Sequence, residues 1–167
     1  MTMQRAELSS DVFRQAMGRF ATGVTVATST LDGIDHAMTA NAVTSVSLEP
    51  MLVLVCVERE ARFHDAIIGS GLWGLSILAA SGRGPADWLA TRGRPLHGQL
   101  DRVDTHRGPA TGVALLDDAL ATIECRTTHT APGGDHTIVV GEVLSVEITD
   151  HQGEALLYYR GRFGTLK

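Results

Sequence analysis

A run of small polar residues is the part of the sequence best suited to hold a ligand. It reads Thr39-Ala40-Asn41-Ala42-Val43-Thr44-Ser45-Val46-Ser47 and leads through Leu48-Glu49-Pro50 into an apolar segment. Small side chains would let a flat ring approach the backbone, and the hydroxyl and amide groups could bind carbonyl or phosphate oxygens. Backbone N–H groups could cradle a phosphate without a basic cluster. The same residues would also suit a strand with a polar outer face, so the run alone leaves both interpretations open.

Other kinds of chemistry lack the pattern that they require. Gly69-Ser70-Gly71-Leu72-Trp73-Gly74 has the G-x-G-x-x-G spacing of dinucleotide-binding folds, but a predicted helix precedes it and a predicted strand follows. That motif works only after a strand and at the start of a helix, so these glycines are interpreted as a helix stop and a turn. The sequence has no G-x-S-x-G turn, which argues against a hydrolase of that kind.

Histidine and cysteine spacing gives no indication of a metal site. The histidines are scattered, and no pair has the helical or strand spacing of metal ligands. They are His36, His64, His97, His106, His129, His136 and His151. Cys56 and Cys125 lie in apolar or β-patterned stretches and form no C-x-x-C pair, so we expect buried, reduced thiols.

Composition limits the class of protein. The chain has 167 residues, 44% hydrophobic and 20% charged, as expected for one globular domain over 1–167 with a core at about 10–163. Its net charge of -5 gives no reason to bind nucleic acid or an anionic membrane. The longest apolar run, residues 51–57, is too short to span a bilayer, and residues 1–8 lack an apolar signal core. We therefore expect a cytoplasmic protein.

Hydrophobic periodicity predicts three short helices and about seven strands. A first helix should run from a cap at Ser9 or Ser10 and end by Gly23, and two more should follow at residues 62–68 and 85–90. The strands are predicted at residues 24–29, 36–47, 51–57, 72–78, 121–130, 137–149 and 155–159. Hairpin connections favour a mainly β fold, an antiparallel barrel with short helices, over a doubly wound parallel sheet.

Three details of this prediction can be tested by the structure. Residues 51–57 are apolar without alternation, as expected for a strand buried on both faces at the centre of the barrel. Turns are predicted at residues 31–33, 131–135 and 150–153. Residues 91–112 are expected to cross the surface, anchored by Leu96 and residues 100–103.

Five blocks of the sequence occur together in an order typical of one known family. The blocks are Ala21-Thr22-Gly23-Val24-Thr25-Val26, the run from Thr39 to Pro50, Leu54-Val55-Cys56-Val57 with Ala61 and Phe63-His64, Gly134-Asp135-His136, and Leu156-Leu157-Tyr158-Tyr159-Arg160-Gly161. Together they resemble the flavin reductase-like family, the small NAD(P)H-dependent reductases of two-component flavin monooxygenases. The resemblance extends over residues 13–163, which makes it specific.

The resemblance implies a homodimeric split β-barrel that binds FMN or FAD at the dimer interface. Its run 39–47 would hold the ring and phosphate of the flavin. His136 would stand by the nicotinamide of NADH or NADPH. A second flavin-contacting region would include the strand end and the turn that follows it, namely Cys56, Val57, Arg59, Ala61 and Phe63.

Two parts of the resemblance are less direct. Tyr158, Tyr159 and Arg160 match a closing segment near the active cleft, although aromatic core packing would explain the tyrosines equally well. The family's Leu-Ser-x-Arg-Phe-like helix is replaced here by Gly84-Pro85-Ala86-Asp87-Trp88-Leu89. If the family's serine and arginine steady the distal phosphate or adenine of FAD, this chain would use Arg83 or backbone amides instead. The choices of FMN against FAD and of NADH against NADPH stay open.

The implied reaction is direct hydride transfer from nicotinamide C4 to flavin N5, for which no protein acid or base is required. Reduced flavin would then pass to a separate monooxygenase. A pyridoxamine-phosphate-oxidase-like enzyme would need a basic phosphate clamp, which residues 39–50 do not contain. The remaining alternatives are a non-enzymatic flavin carrier or sensor, a haem-binding split barrel with a histidine axial ligand, and a plain barrel that binds a protein partner.

Overall fold

A seven-stranded antiparallel sheet forms the body of the protein. The computed structural model describes residues 7–150 and 153–166. The strands lie in the order β3-β2-β6-β9-β10-β5-β4. Their bounds are Thr25–Leu31 (β2), Ile34–Ala40 (β3), Val43–Leu48 (β4), Met51–Glu58 (β5), Leu72–Leu78 (β6), Ala119–Gly133 (β9) and His136–Ile148 (β10).

Shorter elements surround this sheet. The helices are α1 (Ser10–Met17), α2 (Arg62–Ser70) and α3 (Arg83–Ala90), with one 3₁₀ turn at Ala80–Gly82. A second sheet has the order β1-β11-β12, with bounds Thr22–Gly23, Leu157–Tyr159 and Arg162–Gly164, and a two-stranded sheet pairs β7 (Thr105–Arg107) with β8 (Ala114–Leu116). Among the described residues, no helix is both long and apolar enough to cross a bilayer.

The main sheet curls because its two outermost strands are neighbours in the chain. β3 and β4 stand at opposite ends of the strand order, yet only Asn41 and Ala42 connect them. The backbone N–H of Cys56 donates to the carbonyl oxygen of Ala42 at 3.0 Å, which fixes this connection against β5. A curled sheet whose two edges meet without pairing is the architecture of a split barrel, so the predicted mainly β fold is confirmed.

The predicted strand over residues 51–57 exists, but it is not buried on both faces. Side chains on one face of β5 are buried in the main core, namely Val53, Val55 and Val57. Those on the other face, Leu52, Leu54 and Cys56, are only half-buried, and Met51 is exposed. β5 also lies next to an edge of the sheet rather than at its centre. The uniformly apolar sequence therefore did not reveal that the two faces of this strand differ in burial.

Most other elements agree with the sequence prediction, with shifted limits. The first helix begins after the Ser9 cap as predicted but already ends at Met17. Residues 36–47 form two strands, because the chain turns at 41–42. The strand predicted at 155–159 is shortened to β11, and β12 was not predicted. The turn predicted at 131–135 narrows to residues 134–135, and the one at 150–153 lies partly outside the described residues.

The G-x-G-x-x-G segment has the structural role assigned to it from its context. α2 ends at Ser70, and Gly71 follows in the left-handed conformation with φ of 67°. Its N–H donates to the carbonyl oxygen of Ile67 at 3.1 Å, which closes the helix, and β6 begins at Leu72. Glycine adopts this conformation without steric cost, so the segment is a helix stop and not a phosphate-binding loop.

The segment over residues 91–112 crosses the surface, but it is firmly held. Leu100 and Val103 pack, as predicted, against a buried cluster that includes Leu78, Leu89 and Leu116. Leu96 is 40% exposed and contributes little to holding the segment in place. Gln99 is 4% exposed, and its backbone carbonyl accepts a hydrogen bond of 2.9 Å from Nε1 of Trp88. This buried glutamine is an anchor that hydrophobicity alone does not reveal.

A buried carboxylate organises the loop between β7 and β8. Glu124 on β9 is 2% exposed, and its Oε2 accepts hydrogen bonds from the Thr111 N–H at 2.7 Å and the Thr111 hydroxyl at 2.6 Å. The Ala110 N–H also donates to this carboxylate, at 3.1 and 3.2 Å from its two oxygens. A Cβ atom on Gly108 would lie 2.3 Å from Oε2, so the loop follows the carboxylate closely. Glu124 therefore positions the loop through hydrogen bonds to charged oxygens.

Candidate functional site

A cleft of about 380 Å³ lies between strand β3, the end of β5 and the segment after α3. It brings together three of the predicted ligand-binding residues, Thr39, Ala61 and Phe63. The remaining lining residues include Met38, Glu58, Glu60, Arg62, Leu89, Arg92, Arg94 and Gln99. The volume is in the range of small-molecule sites, and the lining combines apolar walls with a few charged groups.

His136 lies at the end of β10 beside this cleft. In the β5–β10 ladder its Cα pairs with that of Glu58, and side chains paired in this way point to the same face of the sheet. Since Glu58 lines the cleft, His136 is on the cleft side. The Nδ1 atom of His136 is 2.7 Å from Oδ1 of Asp135, a hydrogen bond that lowers the pKa of Asp135. This contact occupies Nδ1, and Nε2 is the other ring nitrogen that could contact a ligand.

Two contacts hold the hairpin tip that carries His136. The Arg59 N–H donates to the carbonyl oxygen of Asp135 at 3.0 Å. Nε2 of His64, on α2, lies 2.9 Å from Oγ1 of Thr137, the residue that follows His136. No role was predicted for His64 from the sequence, because its partner Thr137 is distant in the chain. Together the contacts join the tip to the end of β5 and the start of α2.

Residues 39–47 run from the cleft onto the edge strand β4, and some of their polar groups already have partners. The Thr39 hydroxyl donates to the carbonyl oxygen of Ala86 at 2.7 Å, and Nδ2 of Asn41 donates to Oγ1 of Thr22 at 3.2 Å. Oγ of Ser47 accepts a hydrogen bond of 3.2 Å from the Glu49 N–H. These groups shape the segment, so fewer of its hydroxyls face a ligand than the composition suggested.

The middle of this run is open. Thr44 and Ser45 are exposed, and the ladder with β5 shifts between Ser45 and Ser47, which makes Val46 a bulge residue that is 46% exposed. Of the two alanines, Ala40 is buried and Ala42 is exposed. A bulge interrupts strand pairing and leaves backbone groups unpaired, a feature often found beside binding sites. The exposed surface at 44–46 is therefore a part of the run that a ligand can reach.

The second predicted region divides into buried and accessible residues. Val57 is fully buried in the core, so its side chain is directed away from any ligand in the cleft. Cys56 is half-buried on the opposite face of β5, and burial raises the pKa of its thiol. Cys125 is fully buried, and burial raises its pKa to about 12. Both cysteines are free, and only Cys125 fits the expectation of a fully buried thiol.

Three predicted residues lie away from the cleft. Arg83 is exposed on α3, with Nε 3.7 Å from Oδ2 of Asp87. The Arg160 guanidinium stacks over the ring of Tyr159 at 5.3 Å. The backbone N–H of Arg160 donates to the carbonyl oxygen of Gly18 at 2.8 Å, on the wall of a separate cleft of about 520 Å³. A ligand role for these three residues stays a prediction.

Sequence reasoning missed three arginines that line the first cleft, Arg62, Arg92 and Arg94. Nη2 of Arg92 donates to both carboxylate oxygens of Glu58, at 3.0 and 2.7 Å. Arg94 is partly buried, and burial together with the charge of Arg62 lowers its pKa. Burial lowers the pKa of His36 as well, with a further contribution from Arg62. Residues 91–94 belong to the segment that was predicted only to cross the surface, and no local pattern connects them with Glu58.

Within residues 7–150 and 153–166, no group of three or more histidine, cysteine, aspartate or glutamate side chains could hold a metal ion.

A model of the flavin reductase like domain matches residues 17–167. The chain belongs to the flavin reductase-like family. The structure agrees, since the flavin reductase component BorF of a bacterial two-component tryptophan halogenase superposes with a TM-score of 0.89. That comparison covers 95% of this chain and 98% of BorF at 44% identity.

Characterised members of the flavin reductase-like family are also similar along almost the whole chain. An NADH-dependent FMN reductase, AsuE2 of Streptomyces nodosus subsp. asukaensis, is 38% identical over 93% of this chain and 84% of its own length. An NADH-dependent FAD reductase of Streptomyces globisporus is 39% identical over 90% and 82%. The reductase component of a 4-nitrophenol 4-monooxygenase/4-nitrocatechol 2-monooxygenase of Rhodococcus opacus is 37% identical over 91% and 78%.

Proposed function

We propose that this protein is an NAD(P)H-dependent flavin reductase that supplies reduced FMN or FAD to a separate monooxygenase. The observation that carries the proposal is the cleft between Thr39 and the end of β5, beside which His136 pairs with the lining residue Glu58, within a chain of this family. NADH is the expected donor, because the similar FMN and FAD reductases are NADH-dependent. The resemblance to a monooxygenase reductase component supports the transfer of reduced flavin to a partner.

The run of residues 39–47, which begins at the cleft, fits a flavin. Small exposed side chains and the bulge at residues 44–46 leave room for a flat ring and accessible backbone donors, and the run joins the cleft wall at Thr39. A bound flavin supplies the redox chemistry by accepting a hydride from the nicotinamide. The contribution of the protein is to bind, orient and exclude water, which brings the two reactants into contact.

His136 orients the donor rather than transferring a proton. Its Nδ1 is held by Asp135 at 2.7 Å, so the ring has a preferred orientation and presents Nε2 to the carboxamide of a nicotinamide. The contacts of Asp135 with Arg59 and of Thr137 with His64 keep the tip in place. Direct hydride transfer needs no general acid or base, so this positioning is the role left to the histidine.

Replacing His136 with alanine should raise the KM for NADH roughly tenfold, the effect of one lost hydrogen bond to the bound donor. The affinity for flavin should change far less. Steady-state kinetics with NADH as the varied substrate, together with a flavin fluorescence titration, measures both quantities. Unchanged reductase kinetics would remove His136 from the site, and an equal loss of flavin affinity would give it a different role.

NADH oxidation with added FMN, FAD or no flavin tests the function itself. Turnover that depends on flavin would establish the reductase and identify its preferred flavin. Saturable flavin binding without turnover would instead support a flavin carrier, and a haem absorbance spectrum in the purified protein would support the haem-binding alternative.

A homodimer accompanies this proposal, because several large apolar side chains have no cover within one chain. None of the residues of α1 is buried, and Phe13, Met17 and Phe20 are more than half exposed. Leu48 is 85% exposed and Ile148 is 80% exposed. Monomeric proteins rarely leave so much apolar surface open, and a second copy of the chain is the partner that would cover it.

Sedimentation velocity should give twice the 17.8 kDa mass of one chain at assay concentration. Replacing Leu48 with glutamate should shift the protein toward the monomer by placing a charge in the covered surface. A wild-type mass equal to one chain would contradict the dimer.

We also assign the reaction to the cytoplasm, since the free thiols of Cys56 and Cys125 suit a reducing compartment.

A further inference from the structure

The wall of the 380 Å³ cleft concentrates positive charge in an acidic protein. The chain carries 14 Lys and Arg residues against 19 Asp and Glu. Three of its arginines, Arg62, Arg92 and Arg94, line this one cleft, together with the carboxylates of Glu58 and Glu60. Local charge opposite to that of the whole chain indicates a site for an anion.

Arg94 serves the architecture of the cleft. Its guanidinium donates to the carbonyl oxygens of Leu89 at 2.6 Å and Ala37 at 2.9 Å, and also to that of Thr91. These bonds fasten the segment after α3 to the edge strand β3. Arg94 thus holds in place the turn that presents Arg92, and both of its terminal nitrogens are engaged in these bonds.

The charge of Arg62 is not neutralised by its nearest partner. Its Nη2 donates to the backbone carbonyl oxygen of Arg94, which carries no net charge. The effect reaches the neighbouring groups, because the positive charge of Arg62 contributes to lowering the pKa of both His36 and Arg94. A guanidinium in this state attracts an anion into the cleft.

Glu58 orients Arg92 but does not use all of its hydrogen-bond donors. Both of its hydrogen bonds to the carboxylate come from Nη2, and its side chain is 82% exposed. A guanidinium has five N–H donors in a planar fork, so Arg92 retains donors for a second anion. Glu58 is also the residue that pairs with His136, which places this arginine beside the predicted nicotinamide position.

We propose that Arg62 and Arg92 bind the diphosphate of a dinucleotide, in competition with Glu58 for Arg92. This inference rests on the proposed reductase function and names the group that the cleft recognises. A doubly charged diphosphate matches two guanidinium groups better than a single carboxylate does. Each guanidinium can form paired hydrogen bonds to the phosphate oxygens. The diphosphate belongs either to the nicotinamide dinucleotide or to FAD, and the chemistry of recognition is the same.

Calorimetric titration with ADP tests the site without requiring flavin reduction. Arg92→Gln should weaken ADP binding roughly tenfold, the effect of losing a charge-assisted hydrogen bond. Glu58→Gln should strengthen binding several-fold, because the neutral amide no longer competes for Arg92. Arg126 and Glu142 form the matched control, an exposed ion pair of 2.9 Å between β9 and β10, and their glutamine variants should leave ADP affinity unchanged.

Weaker ADP binding in Arg92→Gln and stronger ADP binding in Glu58→Gln, with unchanged affinity in the control variants, would support the site. Equal ADP affinity in wild type and Arg92→Gln would overturn it, as would a loss that appears with Arg83→Gln instead. Because ADP binding is measured directly, an active reductase that fails this test would refute the diphosphate site alone. An ADP site in a protein without flavin-dependent turnover would refute the reductase alone.

Kinetics then identify which dinucleotide supplies the diphosphate. With FMN as the flavin, a higher KM for NADH in Arg92→Gln assigns the site to the nicotinamide dinucleotide. A higher KM for FAD, with no change for FMN or NADH, assigns it to FAD. Normal values for all three substrates would overturn the proposal.

Discussion

Replacing Ser45 with glutamate should lower the affinity for FMN at least a hundredfold. Ser45 is exposed on β4, at the bulge where backbone donors are available to a phosphate. A carboxylate there would meet the phosphate at short range, and two like charges about 4 Å apart repel by about 4 kcal/mol at an effective dielectric constant near 20. The larger side chain would also fill the space that serine leaves for the ring. Fluorescence quenching on titration with FMN measures the affinity.

Ser45→Gln is the matched control for this prediction, since it has the size of glutamate without the charge. Glutamine should weaken binding only in part, and riboflavin, which lacks the phosphate, should distinguish between the two variants less than FMN does. Wild-type affinity in Ser45→Glu would refute the phosphate cradle. Equal losses in both variants would show that steric fit, and not charge, decides binding.

Replacing Glu124 with glutamine should reduce the free energy of unfolding by about 3 kcal/mol. The buried carboxylate accepts hydrogen bonds from the backbone N–H groups of Ala110 and Thr111 and from the Thr111 hydroxyl. Glutamine has nearly the same shape but turns an NH₂ group toward some of these donors. Each buried donor left without an acceptor costs about 1–3 kcal/mol. The midpoint of urea unfolding measures the change.

Glu142→Gln provides the comparison for Glu124→Gln. Glu142 accepts one hydrogen bond from Arg126 at 2.9 Å, and both side chains are substantially exposed. An exposed ion pair contributes up to about 1 kcal/mol, so this variant should stay close to wild type. Similar urea midpoints for the two variants would show that the loop between β7 and β8 does not depend on the buried carboxylate.

The sequence predicted the local elements well, because their signals are local. The Ser9 cap and the glycine after α2 each mark an element boundary through backbone chemistry within a few residues. The features that were predicted wrongly depend on contacts between segments that are distant in the chain. Residues 36–47 have one continuous strand pattern, yet the chain turns at 41–42 to join both edges of the sheet.

The candidate site was only partly accessible to sequence reasoning. His136 was identified through the family resemblance, and the structure places it beside the cleft. The partnership of Glu58 with Arg92 joins residues far apart in the chain, and no periodic pattern predicts such a contact. The apolar outer face of β5 was predicted to be buried, whereas its side chains are only half-buried within one chain.

The placement of β5 in the sheet has a consequence for how the protein folds. β4 carries most of the proposed flavin-binding run, and in the main sheet β4 and β5 join the other strands only through β10, which is distant in the chain. Closing such a long loop is slow, because its entropy is lost before the pairing compensates. We therefore expect the proposed binding surface to be completed late, so that a newly synthesised chain should bind flavin only after β10 has been made.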